Sequence, residues 1–346
     1  MGIKYIFKEL KYYKRLDGSP KRMIYKYLFS KTPLAKLTNT KIYNFFYKKR
    51  MDKFTREHRP TILQIENTNA CNARCIMCPH NLMKRKQKVM SFKNFKKVVD
   101  EAMVNYGSLR ILTITGFGEC LVDRGIVEKI KYVNEKYPQL KIDLFTNGAL
   151  LKKEISDQIL DLSIHKINFS INSTEKGYKD ITGLDYQKVR ENILYFCNRK
   201  KEMKKIYPLV NFSLMILKEN KSEIDAFIAE WSPYGDSVMT YLPLEWTGNK
   251  KVETGEKPPF REKRWACIPL WQNIMVDVDG NIIMCCQDYE SKIKFGNILK
   301  KPIKEIMNSP KFQAIREMHK KGNFSMDLCN TCDNWINSSL WWWVYN

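Results

Sequence analysis

The sequence predicts an α/β fold in which helices wrap a parallel sheet, with a basic helical extension before it and a small cysteine-rich domain after it. Three observations predict this fold. Strand-like and helix-like stretches alternate six times in the middle of the chain, the pattern of a parallel sheet with crossover helices. The 346 residues suffice for a full core and an appendage. Basic residues concentrate before the alternating region, and a set of cysteines follows it.

The chain divides into four predicted segments. Residues 1–59 form the extension, residues 60–246 the α/β domain, residues 247–264 a linker rich in Lys, Glu, Gly and Pro, and residues 265–346 the C-terminal domain. No apolar run approaches the roughly 20 residues that a membrane-spanning helix needs, and the N-terminus does not resemble a signal peptide. We therefore expect a cytoplasmic protein whose ten cysteines are thiols available for metal.

The extension is strongly basic. It contains 17 Lys and Arg against 4 Asp and Glu, with twelve aromatic residues between them. This composition predicts two or three amphipathic helices, broken near Gly18 to Pro20 and near Pro33. One interpretation is a surface that binds anionic membrane lipid, a phosphorylated substrate or nucleic acid. The other is an extension that packs on the α/β domain through its aromatic face and leaves its lysines in water.

The alternating region supplies the strands and helices of the sheet. Period-2 and apolar runs predict the strands 62–66, 110–115, 141–146, 166–171, 210–217 and 237–242. Helix-length amphipathic stretches lie between them, for example 91–106, 123–137 and 185–205.

Three cysteines follow the first predicted strand, in the string Cys71-Asn-Ala-Arg-Cys75-Ile-Met-Cys78-Pro79. Three thiolates can hold three irons of a [4Fe–4S] cube and leave the fourth iron open to bind and reduce a substrate. A structural zinc site or inert thiols are the alternatives. A structural zinc normally has four protein ligands, with its cysteines in Cys-x2-Cys pairs. His80 is the one nearby residue that could serve as the fourth ligand.

A second cysteine set lies near the C-terminus and comprises Cys267, Cys285, Cys286, Cys329 and Cys332. Four thiolates from three segments suit a second, fully ligated cluster or a structural zinc. Because a four-ligand site cannot need both neighbouring cysteines, we favour Cys285 on spacing and expect Cys286 to point across the hairpin.

The segments around the second cysteine set have recognisable local structure. Apolar residues alternate on both sides of Asp279-Gly280, which predicts a tight hairpin that delivers a cysteine at a strand end. Pro302 and the Ser309-Pro310 pair are expected to open two short helices, the second closing at Gly322.

The spacing of the first three cysteines, followed by Pro79, resembles the signature of radical S-adenosylmethionine (SAM) enzymes. The second set resembles the SPASM/twitch extension of that family, in its short four-cysteine form. The resemblance covers about residues 60–245 and 265–335, and it implies a partial (β/α)6 TIM-like barrel with ligands at the strand C-terminal ends. It also implies two [4Fe–4S] clusters, one held by Cys71, Cys75 and Cys78 and an auxiliary one held by Cys267, Cys285, Cys329 and Cys332, with SAM bound at the first.

Motifs at the strand ends match the SAM-binding positions of the family. The segment Thr115 to Glu119 resembles its Gly-Gly-Glu motif, in which backbone and carboxylate hold the methionyl ammonium, although Cys120 stands where relatives usually carry Pro. Each of these residues could equally be a cap or turn residue. The resemblance assigns SAM contacts to Met77, Gly116, Gly118, Glu119, Thr146, Asn147, Ser170 and Asn172.

The resemblance implies a reaction as well as a fold. A single auxiliary cluster suits an oxidation, in which SAM's 5′-deoxyadenosyl radical removes a hydrogen and the substrate radical passes an electron to that cluster. A secondary alcohol of a sugar-like or phosphate-bearing small molecule is the expected substrate, with flavodoxin or ferredoxin as electron donor. Peptide modification and epimerisation are the alternatives. A further alternative is a protein that binds a membrane surface or nucleic acid and holds a structural metal. The sequence has no zinc-finger, RRM or helix-turn-helix pattern, so we do not expect nucleic acid as a partner.

A short basic loop, Lys84 to Lys88, directly follows the cluster motif. It is expected either to overhang the mouth of the active site or to be solvated. No residue of the sequence identifies the acid or base that acts on the substrate.

Overall fold

The computed structural model describes residues 11, 12, 15, 40–57, 59–243, 246, 250, 252–254 and 264–332, without the side chain of Arg50. Apart from residues 11, 12 and 15, the helices predicted before residue 40 lie outside these residues, as do most of the predicted linker and the last fourteen residues of the chain. Within the described ranges, no helix combines the length and apolar character that crossing a bilayer requires.

Helices and strands alternate along the described chain. The strands are β1 (Ile62–Ile65), β2 (Ile111–Ile114), β3 (Lys141–Thr146), β4 (Lys166–Ser170), β5 (Leu209–Met215), β6 (Ser237–Tyr241), β7 (Asn273–Val276), β8 (Asn281–Ile283) and β9 (Lys294–Asn297). The helices are α1 (Lys41–Glu57), α2 (Phe92–Asn105), α3 (Ile126–Lys136), α4 (Lys153–Asp161), α5 (Glu175–Thr182), α6 (Tyr186–Glu202), α7 (Ile224–Trp231), α8 (Pro269–Gln272), α9 (Ile303–Met307), α10 (Pro310–Lys320) and α11 (Asp327–Asn330).

The first six strands form a parallel sheet in which each strand pairs with the next along the chain. Because parallel crossovers are right-handed, this sequential order places the connecting helices on one face of the sheet. Helix α2 packs on α3, α3 on α4 and α4 on α6, so the helices form a continuous outer layer. The result is the predicted partial barrel, whose strand C-terminal ends meet at one edge.

Alternation along the strands separates an apolar outer face from a polar inner face. On β4 and β5, Phe169 and Phe212 stack at 5.7 Å, and they contact Phe196 of α6 and Trp231 of α7. Buried aliphatic and aromatic residues continue this core across the sheet and helices. The side chains between them therefore point to the inner face, opposite the helices.

The predicted strand and helix positions are confirmed, with ends that differ by one or two residues and by three at the α3 and α6 ends. Three helices between the barrel strands were not located from the sequence: α4, α5 and α7. Each has only eight or nine residues, too short for a clear helical period. Asp185 caps α6 by accepting a hydrogen bond from Lys188 N at 3.2 Å.

The C-terminal region extends the barrel sheet instead of standing apart from it. Strand β7 pairs parallel with β1, and β8 and β9 follow antiparallel, giving the order β6-β5-β4-β3-β2-β1-β7-β8-β9. This pairing satisfies the backbone groups that β1 would otherwise leave at a sheet edge. The predicted hairpin is confirmed, with Gly280 at φ +83° in its turn, and the two predicted helices appear as α9 and α10.

Helix α1 is the described part of the basic extension. Tyr47 and Met51 are buried against Ile268 and Trp265, and the Tyr47 and Trp265 rings lie 4.8 Å apart. The opposite side of the helix exposes Ile42, Phe45 and Phe46. Helix α1 therefore packs through Tyr47 on the C-terminal segment, not on the α/β domain as expected, and a second apolar stripe remains at the surface.

Candidate functional site

The three cysteines of the first motif lie in the loop that leaves β1 at the C-terminal edge of the sheet. Backbone hydrogen bonds fix this loop to helix α5, from Arg74 N to Thr182 O at 2.8 Å and from Ile76 N to Ile181 O at 2.9 Å. The His80 ring lies 3.0 Å from the carbonyl oxygen of Asn69. The loop is therefore anchored at both ends before any metal binds.

The cysteines of this loop interact electrostatically with one another. Burial, and then the neighbouring Cys78 and Cys71 thiolates, raise the pKa of Cys75 to about 12. Burial is also the main cause that raises the pKa of Cys71 to about 11. Such desolvated thiols give up their protons to a metal that binds them, and three thiolates on one loop are the donor set of a [4Fe–4S] cluster with one open iron.

Within the described residues, no three His, Cys, Asp or Glu side chains converge as closely as one chelated ion requires. This arrangement is compatible with a cube, because each cysteine of a [4Fe–4S] cluster binds a different iron and the sulfur atoms stand apart. The residues present therefore fit the cluster by the chemistry of their donor set.

Gly116 and Gly118 lie where the loop after β2 crosses the cluster loop. A Cβ atom at Gly118 would overlap the carbonyl oxygens of Thr68 and Ala70, and one at Gly116 would overlap the Glu66 side chain. Both glycines thus allow close approach of other parts of the protein chain. In this structure the two glycines let the loop after β2 pack closely against the segment that leads from β1 into the cluster loop.

The buried Glu119 carboxylate accepts hydrogen bonds from the loop after β2 and from the end of β3 and the loop that follows it. Its Oε1 accepts hydrogen bonds from Thr146 Oγ1 at 2.6 Å and Leu121 N at 3.2 Å, and its Oε2 accepts one from Asn147 N at 2.7 Å. Burial raises the pKa of Glu119 and these donors oppose that shift. A carboxylate oxygen has two acceptor positions, so Oε2 retains capacity for a ligand's ammonium group.

Thr146 and Asn147 are engaged with the protein. The Thr146 hydroxyl donates to Glu119 and accepts from Gly148 N, while the Asn147 amide donates to Asn72 Oδ1 at 2.9 Å and accepts from Ala149 N. Asn72 belongs to the cluster loop. The two residues therefore join the third strand end to that loop, a positioning role that the sequence did not distinguish from ligand contact.

Asn172, Ser170 and Met77 differ in their access to a ligand. Asn172 has a left-handed backbone (φ 67°), and its Oδ1 accepts from Met215 N at 3.0 Å. Ser170 is partly exposed at the end of β4. The Met77 side chain is buried with Ile181 and Leu217.

Residues beyond the last barrel strand cover the cluster loop, and the sequence did not point to them. Trp246 donates from its indole Nε1 to Met77 O at 2.7 Å, and its ring contacts Phe117 at 5.8 Å. Lys250 Nζ lies 2.6 Å from Cys78 O. An aromatic and a cation thus lie over the first cysteine set, although both fall in segments that composition marks as the barrel's end and the linker.

The second cysteine set comes together in the C-terminal region. Electrostatic interactions link Cys267 with Cys285, Cys332 and Cys329, and they reinforce the effect of burial in raising the Cys267 pKa. Cys286 instead interacts with its neighbour Cys285. This grouping supports the preference for Cys285 over Cys286 as the fourth ligand.

Gln287 and His319 contact this second set, and sequence reasoning did not select either residue. Gln287 donates from its backbone N to Cys285 Sγ and from Nε2 to Cys332 Sγ, both at 3.3 Å. His319 accepts from Cys267 N at 3.3 Å through Nδ1, and its Nε2 lies 3.5 Å from Cys329 Sγ.

The inner face of the sheet carries polar side chains. Asp143 pairs with Lys166 at 2.7 Å, and Asn168 donates to Ser213 Oγ at 2.9 Å and also bonds Asn211. Barrel interiors are more often filled by branched apolar residues. This inner face is therefore suited to a ligand rich in hydrogen-bonding groups.

Two family models match the chain. The radical SAM superfamily model matches residues 65–230, and the SPASM model, described as an iron-sulfur cluster-binding domain, matches residues 267–333. The first model covers the first cysteine motif and the strands β2 to β5 with the helices between them, and the second covers the C-terminal cysteine set.

Curated relatives have several activities. The chain is 29% identical to an uncharacterized protein of Methanocaldococcus jannaschii over 57% of this chain and 61% of that protein, less than two thirds of its length. It is 21% identical to the S-adenosyl-L-methionine-dependent 2-deoxy-scyllo-inosamine dehydrogenase of Niallia circulans over 79% of this chain and 93% of the relative. It is 25% identical to a GTP 3',8-cyclase of Listeria monocytogenes over 84% and 82% of the two chains.

Solved structures share the fold. BtrN in complex with AdoMet and 2-DOIA superposes with a TM-score of 0.55 at 19% identity, covering 80% of this chain and 93% of BtrN. SuiB of Streptococcus suis, bound to the precursor peptide SuiA, superposes with a TM-score of 0.63 at 14% identity, covering 83% and 74%.

Proposed function

We propose that this chain, which belongs to the radical SAM superfamily and carries a C-terminal SPASM domain, cleaves SAM at a [4Fe–4S] cluster and oxidises a secondary alcohol of a small hydroxylated substrate. SAM and [4Fe–4S] clusters are its cofactors. When bound, SAM would supply the 5′-deoxyadenosyl radical that takes the substrate hydrogen. The auxiliary cluster would accept the one electron that the carbon radical loses, and the hydroxyl proton would pass to solvent, which leaves a ketone.

The proposed ligands follow the two cysteine sets. Cys71, Cys75 and Cys78 hold the cluster that binds SAM, and Cys267, Cys285, Cys329 and Cys332 hold the auxiliary cluster. Glu119 and the backbone of Gly116 and Gly118 hold the methionyl group, while Thr146 and Asn147 position Glu119 and the cluster loop. The segment limits 60–246, 247–264 and 265–346 are part of the same proposal.

The polar inner face of the barrel is the observation that supports a hydroxylated substrate. Asn168, Asn211 and Ser213 lie on neighbouring strands, and Asn211 Oδ1 is buried without a hydrogen-bond partner among the described residues. Buried polar atoms of this kind are normally satisfied, so an acceptor here suits a ligand hydroxyl or amino group. The relative from Niallia circulans, named as an inosamine dehydrogenase, supports the same reaction class.

The test is an anaerobic incubation of reduced, cluster-loaded protein with SAM and a panel of polyols, aminocyclitols and phosphorylated sugars. We expect 5′-deoxyadenosine and a ketone product in equal amounts with one class of these compounds. If deoxyadenosine formed only when a peptide was added as substrate, peptide modification would replace this proposal. SuiB, a structure with the same fold, binds the precursor peptide SuiA. A low-potential donor such as flavodoxin or ferredoxin supplies the electron that cleaves SAM in the cell.

Helix α1 supports a proposal about where the enzyme works. Ile42, Phe45 and Phe46 are 73%, 64% and 54% exposed and lie at i, i+3 and i+4 on one face, which Lys49 and Lys53 continue. Aromatic residues beside lysines are typical of helices that lie in the headgroup region of an anionic membrane. We propose peripheral binding of this face to acidic lipid.

Vesicle flotation tests the membrane proposal. Binding to vesicles with phosphatidylglycerol should weaken as salt rises, because charge attraction is screened over about 8 Å at physiological ionic strength. Phe45→Ser with Phe46→Ser should abolish binding, whereas Val104→Ser, at an equally exposed apolar residue on α2, should not. Equal binding to neutral vesicles, or none to acidic ones, would show that α1 is a structural extension only.

A further inference from the structure

Gln287 and His319 each contact two of the four cysteines proposed as auxiliary cluster ligands. Gln287 reaches Cys285 and Cys332, and His319 reaches Cys267 and Cys329. Both side chains are buried, at 1% and 2% exposure. Together, two residues therefore touch every member of the set, and each is fixed by contacts on more than one segment.

The direction of the hydrogen bonds follows from the His319 ring. The backbone N–H of Cys267 can only donate, so Nδ1 of His319 must be the accepting nitrogen. In a neutral imidazole the proton then lies on Nε2, which faces Cys329 Sγ. His319 is thereby held as a donor to that sulfur, in an orientation set by the backbone beside another cysteine.

Gln287 is a donor to the opposite pair. Its backbone N–H is directed at Cys285 Sγ, and its amide Nε2 is directed at Cys332 Sγ. The residue follows the Cys285-Cys286 pair directly, so the hairpin that delivers the cysteine also delivers the donor. The chain thus provides three N–H groups aimed at three of the four sulfurs.

We infer that Gln287 and His319 are positioning residues that raise the reduction potential of the auxiliary cluster through N–H···S hydrogen bonds. This inference rests on the proposed cluster at the four cysteines. Hydrogen bonds to cluster sulfurs offset the negative charge that arrives with an electron, so they favour the reduced cluster. A raised potential makes the cluster a better acceptor for the electron that the substrate radical gives up.

The test uses protein in which Cys71, Cys75 and Cys78 are replaced by Ala, so that the auxiliary cluster is observed alone. Anaerobic redox titration followed by electron paramagnetic resonance gives its midpoint potential. We expect His319→Phe and Gln287→Leu each to lower the potential, with a larger drop in the double variant. His319→Gln keeps an N–H donor and should restore most of the shift.

Gln313→Leu is the control for the loss of a side-chain amide, because Gln313 is half-buried on α10 and its amide donates to Met307 O. It should leave the potential unchanged. A second measurement needs no substitution near the cluster: with ¹⁵N-histidine in the protein, pulsed resonance of the reduced cluster should detect coupling to one histidine nitrogen.

The outcomes separate this inference from the proposed function. An intact auxiliary cluster whose potential is the same in His319→Phe and Gln287→Leu as in the parent would overturn the inference alone. Absence of the histidine coupling in the reduced cluster would overturn the His319 part, even if His319→Phe failed to load iron. Zinc at the four cysteines in the parent protein would overturn the proposed cluster together with this inference.

Discussion

Arg85 and Glu66 form a bidentate ion pair, with Nη1 2.8 Å from Oε2 and Nη2 2.9 Å from Oε1. Glu66 directly follows β1, and its carboxylate also accepts the N–H groups of Phe117 and Val278. Arg85 Nε donates to Tyr289 O at 2.7 Å. The pair therefore connects the cluster loop, the second barrel strand end and the C-terminal domain at one point.

The basic loop 84–88 thus has a structural partner. Lys84 N donates to Glu290 Oε1 at 2.6 Å, and Lys88 Nζ pairs with Asp279 at 2.6 Å, so the loop is fixed to the C-terminal hairpin. Of the two expectations for this loop, solvation is wrong for Arg85. Because the same loop follows the first cysteine motif, the two proposed clusters are mechanically connected through it.

The first prediction concerns the Arg85–Glu66 pair. Arg85→Gln should lower the free energy of unfolding by about 3–5 kcal/mol, because it leaves the Glu66 charge buried without its partner. Lys88→Gln is the control: its pair with Asp279 is more than 40% exposed on both sides, so the loss should be about 1 kcal/mol or less. Anaerobic urea unfolding measures both. Equal effects for the two variants would contradict the structural importance of the buried pair.

The second prediction concerns metal content. Reconstituted protein should bind about eight irons as two [4Fe–4S] clusters. Replacing Cys71, Cys75 and Cys78 with Ala should leave about four irons and abolish SAM cleavage, measured as deoxyadenosine formation. Cys286→Ala should keep all eight, because Cys267 interacts with Cys285, Cys329 and Cys332, whereas Cys286 interacts with its neighbour Cys285. SAM cleavage by the triple variant would refute the assignment of the first cluster.

Sequence patterns predicted the barrel strands because each one combines apolar alternation with turn residues at its ends, and Lys141–Thr146 was located to the residue. They also selected both cysteine sets from spacing. The short helices α4, α5 and α7 were missed because eight or nine residues contain little more than two helical periods.

The contacts around the two sites could not be predicted in the same way. Gln287 contacts Cys332, which is 45 residues away in the sequence, and His319 contacts Cys267, which is 52 residues away. Thr146 and Asn147 look the same in sequence whether they bind a ligand or another loop. Their actual partners, Glu119 and Asn72, become neighbours only when the ends of separate strands are brought to one edge of the sheet.

The third prediction tests Thr146 as the residue that positions Glu119. Thr146→Val removes the hydroxyl that donates to Glu119 Oε1 while keeping the side-chain shape. Losing one charge-assisted hydrogen bond of about 1.5 kcal/mol should weaken SAM binding about tenfold with iron content unchanged. Thr55→Val, which removes a hydroxyl that donates to Asp52 O on α1, should not change the affinity for SAM. Equilibrium dialysis with labelled SAM distinguishes these results, and unchanged affinity in Thr146→Val would contradict the role.

The last prediction tests the reaction type through the auxiliary site. Cys329→Ala with Cys332→Ala should remove that cluster and block ketone formation, because an oxidation must deliver the substrate electron to an acceptor. SAM binding and some deoxyadenosine formation should persist, since the first cysteine set lies in a separate loop with its own anchoring contacts to α5. Product and deoxyadenosine are measured together under anaerobic conditions with a chemical reductant. An epimerisation would behave differently: it needs a hydrogen donor such as the Cys286 thiol, and product formed in deuterium oxide would carry solvent deuterium at carbon. Deuterium that disappears in Cys286→Ala would therefore replace oxidation with epimerisation, whereas a deuterium-free ketone lost only with the auxiliary cluster supports the dehydrogenase assignment.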